Sequence, residues 1–289
     1  MIVIGRGGPV VWDGRTLGPW AEAIDGADVV INLAGRSVNC RYNDANRRAI
    51  MDSRVDSTRV LGEAIARAAN PPRVWLQSST ATIYADRYDA PNDERTGIIG
   101  EGFSVGVAQA WEKAAQESCP PVTRLVLLRS AMVMSPDRGG IFDVLLGLVR
   151  RGLGGSAAGG RQYVSWIHGE DFGRALRFLI EHDVDGPVNV AAPNPLPYAD
   201  FMRALREAWG TRLGLPATRW MLELGAWAMR TETELVTKSR RVVPARLAEA
   251  GFAFDYPEWP AAARDLVAKW RTPTPAGARA GAPPRPRAG

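Results

Sequence analysis

Residues 77–85 read QSSTATIYA and close the apolar run PPRVWLQ. Three hydroxyls, Ser78, Ser79 and Thr80, crowd the end of that strand-like run, where a hydroxyl can orient a substrate or share its proton. The competing reading is a strand terminus whose hydroxyls cap backbone groups. WIHGED (166–171) sets His168 at a strand end just before a helix, as a proton donor or acceptor near neutral pH or as a histidine that fixes the turn through a backbone carbonyl. GLGGSAAGGRQ (152–162) is glycine-rich but follows a helix and precedes a strand, the reverse of a phosphate loop. It predicts a mobile loop at a substrate mouth, with Arg161 and Gln162 placed to take an anionic or polar group, unless Arg161 is merely solvated. RSAMVMSPDRGG (129–140) ends another strand with Arg129 and Ser130, or is an ordinary crossover turned by Gly139 and Gly140. GFSVG (102–106) fits the G-x-S-x-G elbow of serine hydrolases, with Asp137 or Asp143 and then His168 downstream. An elbow needs a buried strand directly before its serine, whereas DERTGIIGEG is polar and glycine-rich, so the context opposes this chemistry.

The elements that must carry these groups are short apolar runs: IVI (2–4), VVW (10–12), DVVINLAG (28–35), RVWLQSS (73–79), RLVLLRSAMVM (124–134), YVSWIH (163–168) and PVNVAA (187–192). Helical patterns fall between them at 19–26, 43–70, 104–118, 140–151 and 169–182. The longest places Ile50, Val55, Thr58, Leu61, Ile65 and Ala68 on one face, with Asn43 and Asp44 as N-cap residues. Apolar strands alternating with helices predict an α/β fold whose parallel sheet is covered on both faces. Ligands of such sheets sit beyond the carboxyl ends of the strands. Leu33, Ala34 and Gly35 of NLAG, SST (78–80) and RSA (129–131) all fall at those ends. Beyond about residue 193 the chain turns helical and tryptophan-rich, which predicts a smaller C-terminal lobe with an aromatic core. The expected divisions are 1–192, 193–271 and a Pro-, Gly- and Ala-rich tail, 272–289, predicted to be disordered.

With 289 residues, 46% hydrophobic and 23% charged, the chain can bury a full core. It has no run of eighteen apolar residues and no charged stretch leading an apolar signal core, so the reading is a soluble cytoplasmic protein without a membrane segment. Cys40 and Cys119 make no disulfide framework, and with His168 and His182 they match no usual ligand spacing, so no metal is expected. The net charge is +5, yet the basic run KSRRVVPAR (238–246) lacks interleaved aromatics, so nucleic acid is not an expected partner.

QSSTATIYA followed by APNDE, together with DVVINLAG, resembles the extended short-chain dehydrogenase/reductases of the NAD(P)-dependent epimerase/dehydratase superfamily. INLAGRSVNCRY, FSVGVAQAWEKAA, GRQYVSWIHGEDFGRAL, GPVNVAAPNPLPYADF and VVPARLAEAGFAF resemble one atypical branch, the "epimerase family protein" group with an uncharacterised C-terminal domain. The resemblance spans residues 2 to 270 and implies a Rossmann-like, doubly wound parallel sheet with the smaller lobe appended. It implies NADP, with NAD as the alternative, bound by Arg6 at the 2′-phosphate, by Leu33, Ala34, Gly35, Ser78 and Ser79, and by Arg129 and Ser130 near the nicotinamide ribose. Thr80 matches the family's helper hydroxyl, and a small molecule is the implied substrate; His168 stands beside it as the acid/base candidate read from the residues alone, its motif only belonging to the branch. The helices at 43–70 and 104–118 are those whose counterparts form dimer bundles in relatives, so a homodimer is one available arrangement.

Two departures from the family pattern stand out. A dinucleotide site of this fold begins with a strand, a G-x-x-G-x-x-G turn and a helix. Here IVIGRGG (2–8) runs on into VVWDG, so IVIGR resembles the second strand and the first strand–helix unit is expected to be missing. A start codon assigned too late is the expectation, a shortened protein the alternative. Second, the Tyr-x-x-x-Lys pair, in which lysine lowers the tyrosine pKa, is absent. Anchored on Glu112, the tyrosine position holds Ser104 and the lysine position Ala108. The leading expectation is an atypical enzyme of the epimerase/dehydratase type acting on a small polar or nucleotide-linked substrate. The alternative is a non-catalytic nucleotide- or partner-binding protein that kept the fold and lost the chemistry.

Overall fold

The computed structural model describes residues 1–216 and 238–272; the helical pattern over 217–236 and the tail beyond Thr272 lie outside the described residues. Four strands form the central sheet: β1 (Val29–Asn32), β2 (Val74–Thr80), β3 (Arg124–Ser130) and β7 (Gly186–Val190), in the order β1-β2-β3-β7. All three pairings are parallel. Side chains alternate across this sheet. Trp75 and Leu127 point to one face, where Leu61 and Ile65 of α1 (Asp44–Arg67) and Ala115 of α2 (Phe103–Ser118) bury them. Val74, Leu76, Val126 and Leu128 point to the other, against Ala175 and Leu179 of α4 (Gly169–Glu181) and Leu247 of the short α6 (Ala245–Glu249). The doubly covered parallel sheet expected from the apolar runs is therefore present.

Two expected strands divide. The run 124–134 leaves the central sheet at Ala131, whose N–H still bonds to the carbonyl of Val190 at 3.1 Å. Its remainder, β4 (Met132–Met134), pairs with β6 (Trp166–His168) in a separate two-stranded sheet. The run 163–168 breaks at Ser165, whose hydroxyl donates to the carbonyl of Arg240 at 2.6 Å and accepts the N–H of Val242 at 2.8 Å. Before that break, β5 (Tyr163–Val164) pairs antiparallel with β8 (Leu196–Pro197). The runs at 2–4 and 10–12 form no strands; one bridge, Ile4 to Val10, closes a glycine turn over residues 5–8. The expected helix at 19–26 is a short 3-10 turn, Pro19–Ala23.

A third cluster joins α3 (Ile141–Arg150), α5 (Tyr198–Trp209) and α7 (Trp259–Arg271) to β4 and β6. Trp259 stacks on Phe201 at 4.0 Å, meets Trp166 edge-on and donates its indole N–H to the Phe201 carbonyl at 2.8 Å. Among the described residues, Phe201, Trp259 and Trp270 of the C-terminal part do lie in a core, but one shared with Phe142 and Trp166 from earlier in the chain.

At the α1–α2 crossing the backbones meet through Gly62. A Cβ there would overlap the Ser118 side chain and come within 2.9 Å of its carbonyl oxygen. Alanine normally gains about 1 kcal/mol over glycine inside a helix. Here the overlap reverses the sign, so Gly62→Ala is expected to lose roughly 1–3 kcal/mol, read as a lower urea midpoint.

Candidate functional site at the carboxyl edge of the sheet

The strand ends are brought into line by the sheet register: Asn32 lies opposite Gln77, Thr80 opposite Ser130, and Ser130 opposite Val190. Asn32 is buried, and its amide donates to Gln77 Oε1 at 2.9 Å while its Oδ1 accepts the N–H of Ala34 at 3.0 Å. That bond turns the chain off the sheet and leaves Leu33 60% exposed beyond it, with Ala34 half-buried and Gly35 exposed. Gln77 donates in turn to the Ser78 carbonyl at 3.0 Å.

Thr80 carries the role of cap. Its Oγ1 accepts the N–H of Thr82 at 3.1 Å, starting the 3-10 turn Ala81–Ile83, and donates to Thr82 Oγ1 at 3.0 Å. Thr80 is still half-buried and so reachable from the edge, as are Ser78 and Ser130. Ser130 Oγ donates only weakly, to the Leu128 carbonyl at 3.3 Å.

Ser79 and Arg129 turn inward. Ser79 Oγ donates to Glu112 Oε1 at 2.6 Å, and Arg129 grips both Glu112 oxygens at 2.8 Å. Arg129 also donates to Tyr84 Oη at 2.9 Å, and Tyr84 to Asn189 Oδ1 at 2.9 Å. Burial works against the Arg129 charge, but the hydrogen bonds and charge of Glu112 outweigh it and hold the guanidinium protonated. Burial likewise raises Tyr84, with Arg129 opposing. Arg129, expected beside a nicotinamide ribose, is thus held beneath the edge by Glu112.

His168 is 1% exposed. Its Nδ1 accepts the Glu170 N–H at 3.1 Å, which leaves the proton on Nε2, donated to Asp265 Oδ2 at 3.0 Å. Tyr256 stacks on the ring at 3.9 Å, and Lys269 pairs with Asp265 at 2.8 Å and Glu170 at 2.5 Å. Burial lowers the imidazole pKa, against the pull of Asp265. His168 does fix its turn, through a backbone N–H rather than the expected carbonyl, and it stands in the β4–β6 sheet opposite Met134 rather than beside Thr80. Of the two aspartates open to the hydrolase pattern, Asp143 accepts the Gly139 N–H and the Trp270 indole at 2.8 Å, and Asp137 accepts the Ser135 hydroxyl at 2.5 Å.

Arg161 lies exposed on a hollow of about 530 Å³ that it shares with Tyr88, Tyr163 and Pro197. Gln162 is buried and donates to the Ala157 carbonyl at 2.9 Å, pinning the glycine-rich loop expected to be mobile. Arg6 is exposed on the 5–8 turn. The strand-end hydroxyls of Ser78, Thr80 and Ser130 are half-buried at the carboxyl ends of their strands. Among the described residues, no glycine-rich turn joins a strand to a helix N-terminus for the pyrophosphate. The supporting residues Asn32, Gln77, Glu112, Tyr84 and Asp265 were missed as site groups. Only the two polar residues inside apolar strands, Asn32 and Gln77, carried a local signal.

Comparison with known proteins shows the family. The NAD dependent epimerase/dehydratase family model matches residues 13–191, and a domain of unknown function (DUF1731) matches 217–266. The mouse epimerase family protein SDR39U1 is 32% identical over 91% of this chain and 93% of its own length. The epimerase family protein YfhF of Bacillus subtilis is 30% identical over 85% of this chain and 80% of its own. The crystal structure of human SDR39U1 (isoform 2) with NADPH superposes with a TM-score of 0.80 at 26% identity, covering 92% of this chain and 90% of that one.

Two outcomes are expected. Glu112→Gln leaves Arg129 buried without its counter-ion and should lose about 3–5 kcal/mol in chemical denaturation, partly restored by adding Arg129→Met. The folded His168 pKa lies below its unfolded value of about 6.5, so the unfolded chain binds the extra proton. Stability should therefore fall as pH drops below that value and level off once the folded pKa is passed. Urea midpoints measured from pH 8 to pH 5 should fall less steeply for His168→Gln.

Proposed function

Because the chain belongs to the NAD dependent epimerase/dehydratase family, we propose that it binds NADP(H), with NAD(H) as the weaker ligand, along the carboxyl edge of the central sheet. It acts there on a small polar or nucleotide-linked substrate. The observation that carries this reading is the register that sets Asn32 opposite Gln77 and Thr80 opposite Ser130 along one edge, with Leu33–Gly35 following directly on β1. The NADPH of the human relative supports the choice of cofactor.

A bound nicotinamide supplies hydride transfer. The work of the chain is to hold and orient. Leu33 and Ala34 offer apolar contact, and Ser78 and Ser130 offer hydroxyls to a ribose. Thr80 Oγ1 exchanges its bond to Thr82 Oγ1 for one to a substrate oxygen, and with Ser104 and Ala108 at the usual pair a water held by Thr80 moves the proton. Arg6 meets the 2′-phosphate and Arg161 an anionic end of the substrate. His168, sealed against Asp265, contributes by fixing the first turn of α4.

One observation favours the second reading, a nucleotide-binding protein without turnover. Ala108 is fully buried among Ala81, Ile83, Tyr84, Val105 and Val242, so no cationic side chain could occupy its place without repacking.

At equal concentrations NADPH should raise the melting temperature more than NADH does. A protein whose melting temperature ignores both ligands would overturn the cofactor reading. Steady NADPH oxidation with any member of a carbonyl and sugar-nucleotide panel would decide for the enzyme.

A further inference from the structure

A carbonyl oxygen that gains charge as hydride arrives needs a proton from a group more acidic than an alcohol. Ser78, Thr80 and Ser130 at the strand-end edge are alcohols, His168 is sealed against Asp265, and Tyr84 is buried between Arg129 and Asn189. Tyr42 is placed differently. It is half-buried in the segment that follows the Leu33–Gly35 turn, directly before the N-cap of α1. Its backbone is fastened: its carbonyl accepts Arg47 Nε at 2.8 Å, and the Arg41 carbonyl accepts Asn46 Nδ2 at 2.7 Å.

The Tyr42 ring meets Phe103 edge-on at 5.1 Å, and the Arg47 guanidinium lies over the same Phe103 ring at 4.8 Å. Phe103 opens α2, so Tyr42 stands over the first turn of that helix, next to half-buried Ser104. The Ala81–Ile83 turn that Thr80 caps packs against Val105 and Ala108 of the same helix. Tyr42 and Thr80 therefore both border the start of α2. Cations gather there. A methyl group on Gly102 would lie 4.0 Å from Lys238 Nζ. Half-buried Arg54 is in electrostatic reach: burial works against its charge and Tyr42 supports it. By the same attraction that cation favours the ionised phenol. Asp44 and Glu101, the carboxylates nearest in the chain to the two helix starts, are exposed.

We propose that Tyr42 is the proton source of the strand-end site, giving its phenolic proton to the water held by Thr80. This rests on the cofactor reading above. The carbonyl carbon takes hydride from the nicotinamide, which is oxidised, and the carbonyl oxygen takes a proton from that water. Tyr42 restores the water and regains its own proton from solvent.

The test compares the intact chain with Tyr42→Phe, which keeps the edge contact on Phe103, and with Arg54→Met. Tyrosinate absorbance is followed against pH without ligand. Melting is then measured with and without NADPH, and NADPH oxidation with phenanthrenequinone as the carbonyl probe. The difference between parent and Tyr42→Phe should show one phenol ionising well below the ordinary value of about 10, and Arg54→Met should return it toward that value. Tyr42→Phe should keep the parent's melting temperature and its NADPH shift but lose roughly a hundredfold or more in NADPH oxidation. The parent's rate should fall as pH rises through the ionisation of this phenol, a limb that Tyr42→Phe should lack. A phenol that titrates at or above its ordinary value, or a Tyr42→Phe protein with the parent's rate, sinks the assignment and leaves the cofactor reading standing. If the parent binds NADPH but leaves the quinone unreduced, the titration alone decides. A parent whose melting ignores NADPH overturns the cofactor reading and the proposal with it. Should Tyr42→Phe fail to fold, Tyr42→Trp keeps a ring there without an acidic hydroxyl and takes its place.

Discussion

The buried pair of Glu112 and Arg129 is the constraint on which the rest of the architecture depends. It joins the middle of α2 to the end of β3, and through Ser79 to β2. Through Tyr84 and Asn189 it continues to β7 and to the carbonyl of Val243 near the C-terminal end of the described chain. Replacing such a pair with apolar groups is often neutral in stability, so its value here is directional. With both carboxylate oxygens gripped and Ser79 on one of them, the rotation of α2 about its axis is fixed by these bonds. That rotation sends Ala108 into the core and leaves the strand ends, not the helix, to supply polar groups at the edge.

The fold was legible where burial on both faces writes a local pattern. β2, β3 and β7 read as largely apolar runs because they are covered on both sides. The breaks were not legible. Residues 124–134 are apolar throughout, and nothing local marks Ala131 as the point where the pairing changes. Ser165 ends β5 through bonds to residues 240 and 242, a contact 75 residues away. β8 is two residues long and has no period to read.

The site divides in the same way. Residue types at strand ends could be named from the chain alone, since the carboxyl ends of a parallel sheet follow from the order of its elements. The partners could not. Whether Arg129 faces a ligand or the interior depends on Glu112, and whether His168 is an acid or a fastening depends on Asp265, 97 residues on. Thr80 could be read either as a reactive hydroxyl or as a cap; the structure makes it a cap and leaves it within reach of the edge.

The break at Ala131 has a mechanical consequence. One unbroken backbone passes from the central sheet at Ser130 directly into the β4–β6 sheet at Met132, with Ala131 bonded to Val190 and Met132 to the Ser165 carbonyl. The helices α3, α5 and α7 pack onto that second sheet. No connecting loop separates the two sheets at this crossing, so they resist opening and shutting about it like jaws. The turn at Leu33–Gly35 and the stretch after Tyr84 therefore leave the strand ends from a frame braced at this crossing.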